Sequence, residues 1–128
     1  MISPRSIDHL VFRVSDLDRT EPFYTALLGQ PSHRAEDSLM YSVGETRLFF
    51  TTSTEPRAGT YDKEKIGLNH IAFGVRSLTE LEAIREQLDN AGISHSGIRL
   101  DQYGLKEFIW LDDPDGQRIE FYLRPEQE

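Results

Sequence analysis

The sequence predicts an α+β protein in which a βαβββ unit occurs twice, and three observations carry this prediction. Short segments in which apolar and polar residues alternate, as they do in strands, surround two segments with the 3.6-residue period of a helix. Each helical segment follows a strand and is followed by a glycine, Gly29 or Gly92, of the kind that ends helices. The first strand of each half carries a histidine at the same place, His9 and His70.

The composition limits the class of protein. A chain of 128 residues is about one domain, and 38% hydrophobic with 28% charged residues is typical of a soluble globular fold. The net charge of −8 disfavours nucleic acid and anionic membranes as partners. The absence of cysteine excludes disulfides, thiolate metal sites and cysteine nucleophiles. Since no signal-peptide pattern or membrane-length apolar run is present, we expect a cytoplasmic protein.

The first predicted unit, module 1, covers about residues 5–53. Its first strand is Ile7–Val14, with alternate residues on opposite faces. The pattern Asp18-x-x-Glu21 resembles a capping box and predicts a helix that runs to Leu28. Two or three further short strands are predicted, roughly at Leu39–Val43 and Thr46–Thr52, with a turn at Gly44-Glu45.

The second predicted unit, module 2, covers about residues 67–124 and follows a polar loop at residues 53–66. Its first strand is Leu68–Val75. A capping box at Thr79-x-x-Glu82 predicts a helix over Thr79–Ala91. Three further strands are predicted around Ile93–Ile98, at Lys106–Leu111 and at Gln117–Tyr122.

The last strand contains a residue that packing does not explain. Ile119 and Phe121 point to one face and Glu120 to the other. Because an unpaired buried charge costs on the order of several kcal/mol, Glu120 needs a cation, a metal ion or bulk water beside it. Aligning the two units matches His9 with His70, and Phe49 with Glu120.

Four motifs, which together span Ile7 to Tyr122, resemble the vicinal oxygen chelate superfamily. They are Asp8-His9-Leu10, Phe23-Tyr24-x-x-Leu27-Leu28-Gly29, Asn69-His70-Ile71-Ala72-Phe73, and Asp113-Pro114-Asp115-Gly116 followed by Ile119-Glu120-Phe121. This superfamily includes glyoxalase I, extradiol dioxygenases, fosfomycin-resistance thiol transferases and bleomycin-resistance proteins. The resemblance implies a single domain over residues 1–128, in which the two modules form an eight-stranded, U-shaped mixed sheet of the glyoxalase/dioxygenase type.

The resemblance also implies that His9, His70 and Glu120 bind one divalent metal ion, with Glu120 as the catalytic carboxylate. Two imidazoles and a carboxylate suit Fe, Mn, Ni, Co or Zn. Glyoxalase I and methylmalonyl-CoA epimerase use a fourth ligand, Glu or Gln, where Phe49 stands, which counts against both activities. Three protein ligands leave room for the metal to chelate two adjacent oxygens of a small substrate.

Four residues are candidates for substrate binding: Arg13, Phe49, Trp110 and Tyr122. Arg13 could pair with a carboxylate or phosphate. Phe108 could also line the pocket, with core packing as the preferred interpretation. The reaction is left open among lyase, isomerase, thiol-transferase and dioxygenase chemistry. The alternative is a metal-free binding or sequestration protein of the bleomycin-resistance type. Since each predicted sheet has an open edge, we expect a homodimer.

Overall fold

The structure, a computed structural model, describes residues 1–55 and 59–125 and divides into two compact units, Met1–Gly59 and Thr60–Glu128. The first unit consists of β1 (His9–Val14), α1 (Leu17–Leu28), β2 (His33–Arg34), β3 (Ser38–Val43) and β4 (Thr46–Thr52). The second consists of β5 (His70–Val75), α2 (Leu78–Asn90), β6 (Arg99–Leu100), β7 (Glu107–Asp112) and β8 (Arg118–Leu123). The predicted α+β fold with a doubled βαβββ unit is confirmed.

Each unit contains one four-stranded mixed sheet, with strand order β1-β4-β3-β2 in the first unit and β5-β8-β7-β6 in the second. The first strand of each unit pairs in parallel with the last, and the other pairs are antiparallel. Val11 lies opposite Phe49 on β4, and Ala72 lies opposite Glu120 on β8. Phe49 therefore occupies the position in its sheet that Glu120 occupies in the other, as the alignment of the two units predicts.

The helix of each unit covers one face of the sheet. In the second unit, α2 contacts β5, β7 and β8, and its fully buried Leu81 and Leu88 belong to the same core as Ile109 and Ile119. In the first unit, the buried Tyr24 ring of α1 packs 4.4 Å from the Phe50 ring, measured between centroids. Because side chains alternate across a strand, the opposite face of each sheet carries the polar residues of β1, β4, β5 and β8.

The cap residue of each helix lies two positions before the predicted one. The carboxylate of Asp16, not that of Asp18, caps α1 and accepts a hydrogen bond from the Asp18 backbone N–H at 2.9 Å. At α2, the Ser77 hydroxyl accepts from the Glu80 N–H at 3.2 Å, so the cap predicted at Thr79 was wrong. Each prediction selected the second of two overlapping cap-like sequences, whereas the structure uses the first.

The strand predicted at Ile93–Ile98 was also wrong, since the second unit has only the short β6 in that region. Ser96 joins this segment to β7, because its backbone N–H donates to the Trp110 carbonyl oxygen at 2.9 Å and its hydroxyl accepts from the Trp110 N–H at 2.9 Å. His95 Nε2 lies 2.6 Å from the Asp89 carboxylate. Gly97 adopts a φ of 74°, which interrupts an extended strand.

The segment predicted as a loop, residues 53–66, contains neither helix nor strand over 53–55 and 59–66, and residues 56–58 lie outside the described part of the chain. None of the helices described here is long and apolar enough to cross a membrane.

Candidate metal centre

Two predicted metal ligands meet on the open face of the second sheet. His70 begins β5, Glu120 lies on the parallel neighbour β8, and His70 Nε2 is 3.4 Å from Glu120 Oε1. The residue Glu120 is only 8% exposed. Burial raises the pKa of its carboxyl group, and the positive charges of His70 and Arg118 oppose that rise. A buried carboxylate and an imidazole nitrogen therefore face each other at the sheet surface.

Asn69 determines which nitrogen of His70 carries the proton. The Asn69 side-chain N–H donates to the Lys63 carbonyl oxygen at 2.9 Å, and a carbonyl oxygen can only accept. The amide oxygen of Asn69 is therefore the atom that lies 2.8 Å from His70 Nδ1, so Nδ1 donates to it. In the neutral ring, this leaves Nε2 as an acceptor that faces a second acceptor, the Glu120 carboxylate.

The donor set and its spacing fit a divalent ion. A nitrogen and an oxygen bound to one ion at about 2.0–2.2 Å, with an angle near 90–110°, lie roughly 3–3.5 Å apart. The distance between His70 Nε2 and Glu120 Oε1 is within that range. Metal-bound histidines also commonly donate their second ring N–H to an oxygen, as His70 does to Asn69.

The first unit contains the corresponding histidine without a carboxylate beside it. His9 Nδ1 lies 2.8 Å from the Asp8 carboxylate. The hydrogen bond between them lowers the pKa of Asp8. The Phe49 ring meets the His9 ring edge-on, with 5.7 Å between centroids. Both residues line a hollow of about 410 Å³ together with Val11. Unit 1 thus orients its histidine as unit 2 does and places an aromatic ring where Glu120 would be.

The predicted site residues fall into two groups. The second unit brings together His70, Glu120, Trp110 and Tyr122, whereas His9, Arg13 and Phe49 belong to the first unit. Arg13 lies on the open face of β1, and its guanidinium donates to the Thr52 carbonyl oxygen at 3.4 Å. Among residues 1–55 and 59–125, no three His, Cys, Asp or Glu side chains are grouped closely enough to hold a metal ion.

Aromatic side chains of β7 and β8 form a wall beside the His70–Glu120 pair. Trp110 lies opposite Glu120 in the register, and the Arg118 guanidinium stacks on the Trp110 ring at 3.9 Å from its centroid. Arg118 is also held by Asp112, with Nε 2.6 Å from the carboxylate. This double contact fixes a positive charge and an indole ring next to the pair.

Phe108 belongs to this wall, which agrees with its interpretation as pocket lining and contradicts the preferred interpretation as core. It stacks on Tyr122, with ring centroids 4.8 Å apart and planes at 16°. The alternation of β7 explains the difference, because Ile109 and Leu111 take the core face and leave Phe108 and Trp110 on the open face.

Sequence reasoning did not assign a role to Asp8, Asn69 or Asp101. The first two could have been noticed as an Asx residue directly before each histidine. Asp101 gives no such signal, because it reaches the site from the loop between β6 and β7. It lines a cavity of about 480 Å³ with His70, Glu120 and Tyr122. Burial raises the pKa of the Tyr122 hydroxyl, and the charge of Asp101 and its hydrogen bond with Tyr122 raise that pKa further.

Comparison with known proteins agrees with this fold. The sequence profile of the Glyoxalase/Bleomycin resistance protein/Dioxygenase superfamily matches residues 6–121. The uncharacterised protein YwkD of Bacillus subtilis is 32% identical over 126 residues, which cover 92% of this chain and 96% of YwkD. A lactoylglutathione lyase of Escherichia coli O157:H7 is 30% identical over 121 residues, 88% of this chain and 87% of the lyase.

A solved structure extends the agreement to three dimensions. A Bacillus halodurans protein, provisionally named a glyoxalase, has a TM-score of 0.80 at 20% identity, with coverage of 92% of this chain and 95% of that one. At that identity the likeness concerns the fold alone. The sequence profile and the curated relatives carry the assignment further: this chain belongs to the glyoxalase/bleomycin resistance protein/dioxygenase superfamily, as its motifs predict.

Proposed function

We propose that this protein is a metal-dependent enzyme in which His70, Glu120 and His9 bind one divalent ion of the Fe, Mn, Ni, Co or Zn type. The proposed substrate is a small molecule with two adjacent oxygen atoms. When bound, the ion would supply a Lewis acid for negative charge that develops on a substrate oxygen. Lyase chemistry has a precedent in the related lactoylglutathione lyase, although Phe49 replaces the fourth ligand that the superfamily resemblance implies for glyoxalase I.

The pair formed by His70 and Glu120 carries this proposal. Two acceptors 3.4 Å apart on a partly buried surface repel each other unless a cation or a proton lies between them. A buried polar group without a partner costs about 1–3 kcal/mol. A divalent ion would satisfy both groups at once, and the bond from His70 to Asn69 already selects the tautomer that such an ion requires.

The remaining side chains would bind and orient the substrate. Trp110, Phe108 and Tyr122 would exclude water from one side of the pair, which strengthens electrostatic interactions there. The charge of Arg118, held by Asp112, would attract electron-rich substrate atoms towards this wall. For the first unit, we propose that His9 is the third protein ligand, that Arg13 pairs with a substrate carboxylate or phosphate, and that Phe49 lines the pocket.

Elemental analysis of the full-length protein, purified without a histidine tag, tests the proposal. We expect about one equivalent of a divalent metal in the parent and a strong loss in His9→Ala, His70→Ala and Glu120→Gln, with cooperative unfolding retained. His33→Ala is the matched control, because His33 lies on β2, away from the predicted ligands of its own unit. Metal contents equal to the parent's in all three ligand variants would overturn the assignment.

One observation favours a second candidate function. Protonation of His70 would also satisfy Glu120, since a contact of 3.4 Å suits an imidazolium–carboxylate ion pair. The protein would then be a metal-free binding or sequestration protein that uses the aromatic wall of the second unit. The elemental analysis separates the two functions, because this one requires a metal-free parent that takes up no ion on dialysis.

A further inference from the structure

The open face of β5 carries almost no side chains beyond His70. Ala72 and Gly74 are the next two residues on that face, and both are exposed. The equivalent residues of β1 in the first unit are Val11 and Arg13, which are large. Glycine weakens a strand and often marks a close approach by a ligand or another backbone. The second unit thus lacks, next to its histidine on this strand, the two large side chains that the first unit carries there.

These small residues of β5 line a cavity of about 330 Å³, here called the β5 cavity. Its lining comes from β5, from the end of β8 and from the loop before β7: His70, Ala72, Phe73, Gly74, Asp101, Tyr122 and Arg124. At about 30 Å³ for each water molecule, the space holds roughly ten waters, so a substituent of several non-hydrogen atoms fits within it. Because His70 is part of the lining, a ligand in the cavity would lie next to the proposed metal centre.

Asp101 places a fixed hydrogen-bond acceptor in the wall of the β5 cavity. Its loop is closed by two backbone bonds, from Asp101 N–H to the Lys106 carbonyl at 2.8 Å and from Leu105 N–H to the Asp101 carbonyl at 3.0 Å. One carboxylate oxygen accepts from the Tyr103 N–H at 2.9 Å. These contacts orient a charged group that can accept further hydrogen bonds but donates none.

We propose that the β5 cavity is the subsite for the part of the substrate that extends from its chelating oxygens, and that Asp101 selects a hydroxyl or amine there over a carboxylate. The inference rests on the proposed function, since the chelating oxygens are those bound by the metal. A hydroxyl or amine donates to Asp101, whereas a carboxylate meets a like charge. Arg124 lines the same cavity, with its guanidinium carbon 5.9 Å from the Tyr122 ring centroid. If Arg124 controlled selection instead of Asp101, its positive charge would favour the carboxylate over the hydroxyl or amine.

Chelators with different substituents test the selection. Nickel-loaded, full-length protein is titrated calorimetrically with acetohydroxamate, hydroxyacetohydroxamate and the monohydroxamate of succinic acid. In the parent we expect the hydroxyl compound to bind about tenfold more tightly than acetohydroxamate, and the carboxylate compound to bind more weakly than either. Asp101→Ala should remove the preference for the hydroxyl. Asp62→Ala is the matched control, because Asp62 also accepts from the N–H two residues ahead, at 3.0 Å, and does not line the cavity.

A second variant tests the cavity itself. Ala72→Val introduces the side chain that the first unit carries at Val11, and should weaken hydroxyacetohydroxamate binding about tenfold with little change for acetohydroxamate. Metal content is measured for every protein, because Ala72 lies opposite Glu120. A parent that binds neither metal nor acetohydroxamate would overturn the proposed function and this inference together. Two outcomes would overturn the subsite alone, provided that metal and acetohydroxamate bind normally. One is a parent that prefers the carboxylate compound, and the other is an unchanged substituent preference in Asp101→Ala and Ala72→Val.

Discussion

The hydrogen bond between His70 and Asn69 offers a sharp test of the proposed metal centre, because removing it should change metal affinity while every proposed ligand atom is kept. Asn69→Ala removes the acceptor that lies 2.8 Å from His70 Nδ1 and the donor that holds the Lys63 carbonyl at 2.9 Å. The imidazole ring can then rotate and exchange tautomers. Only the tautomer with a proton on Nδ1 presents Nε2 as a metal ligand towards Glu120.

The expected loss follows from the energy of that bond. A net hydrogen bond contributes about 0.5–1.5 kcal/mol, which corresponds to roughly two- to twelvefold in affinity. Loss of a partner that orients a metal-bound histidine typically weakens binding about 10- to 100-fold. The His70 side chain is 39% exposed, so water can partly replace Asn69. We therefore expect about tenfold weaker binding, at the lower end of the second range.

Calorimetric titration of zinc into untagged, full-length protein measures this loss. Asn69→Asp keeps the acceptor and reproduces the arrangement of Asp8 and His9, so it should retain affinity within about threefold. Tyr61→Phe is a control for the loop, because it removes the hydrogen bond from the Tyr61 hydroxyl to the Leu68 carbonyl and leaves His70 intact. The reasoning is refuted if Asn69→Ala binds zinc like the parent, or if Tyr61→Phe weakens binding equally.

Two further predictions concern the carboxylate position in each unit. Burial raises the pKa of Glu120 in the folded state above its ordinary value of 4.5. Protonated Glu120 therefore favours the folded state below the unfolded-state pKa, and this stabilisation is lost as the pH rises through the folded-state pKa. Metal-free Glu120→Gln should therefore gain stability relative to the parent between pH 4 and 7 in urea unfolding, and parallel pH profiles would contradict this. Phe49→Glu should place a carboxylate beside His9, as Glu120 lies beside His70, and should tighten zinc binding. A folded variant with unchanged zinc affinity would show that Phe49 does not occupy a ligand position.

The architecture was predictable because its signals are local and occur twice. Alternation along β1 and β8 assigned the correct face to His9 and Glu120, and the glycine at each helix end, Gly29 or Gly92, has the positive φ expected there. The alignment of Phe49 with Glu120 required only the repeat, and the strand register agrees with it. These features depend on periodicity and on backbone preferences, which a single sequence displays directly.

Other features depend on contacts that no local pattern encodes. The segment before β6 is held by a backbone bond from Ser96 to Trp110 and by the side chains of His95 and Ser96, without forming a regular strand. Asp101 lines the site from the loop between β6 and β7, at a position that no motif marks. Such choices are settled by tertiary hydrogen bonds, so the sequence left them open.

The residues that differ between the two units indicate the position of the proposed metal site more clearly than the residues that they share. Asp8 and Asn69 each hold Nδ1 of the following histidine, so the orienting device is present in both units. A duplicated module explains that device but not the exchange of Phe49 for Glu120 at one register position. A phenyl ring cannot bind a metal ion, whereas a carboxylate 3.4 Å from an imidazole nitrogen can share one with it. Ala72 lies opposite that same carboxylate. The proposed ligand pair and the β5 cavity thus lie together in the second unit, which is why the variants that should discriminate most are those of Glu120, Asn69 and Ala72.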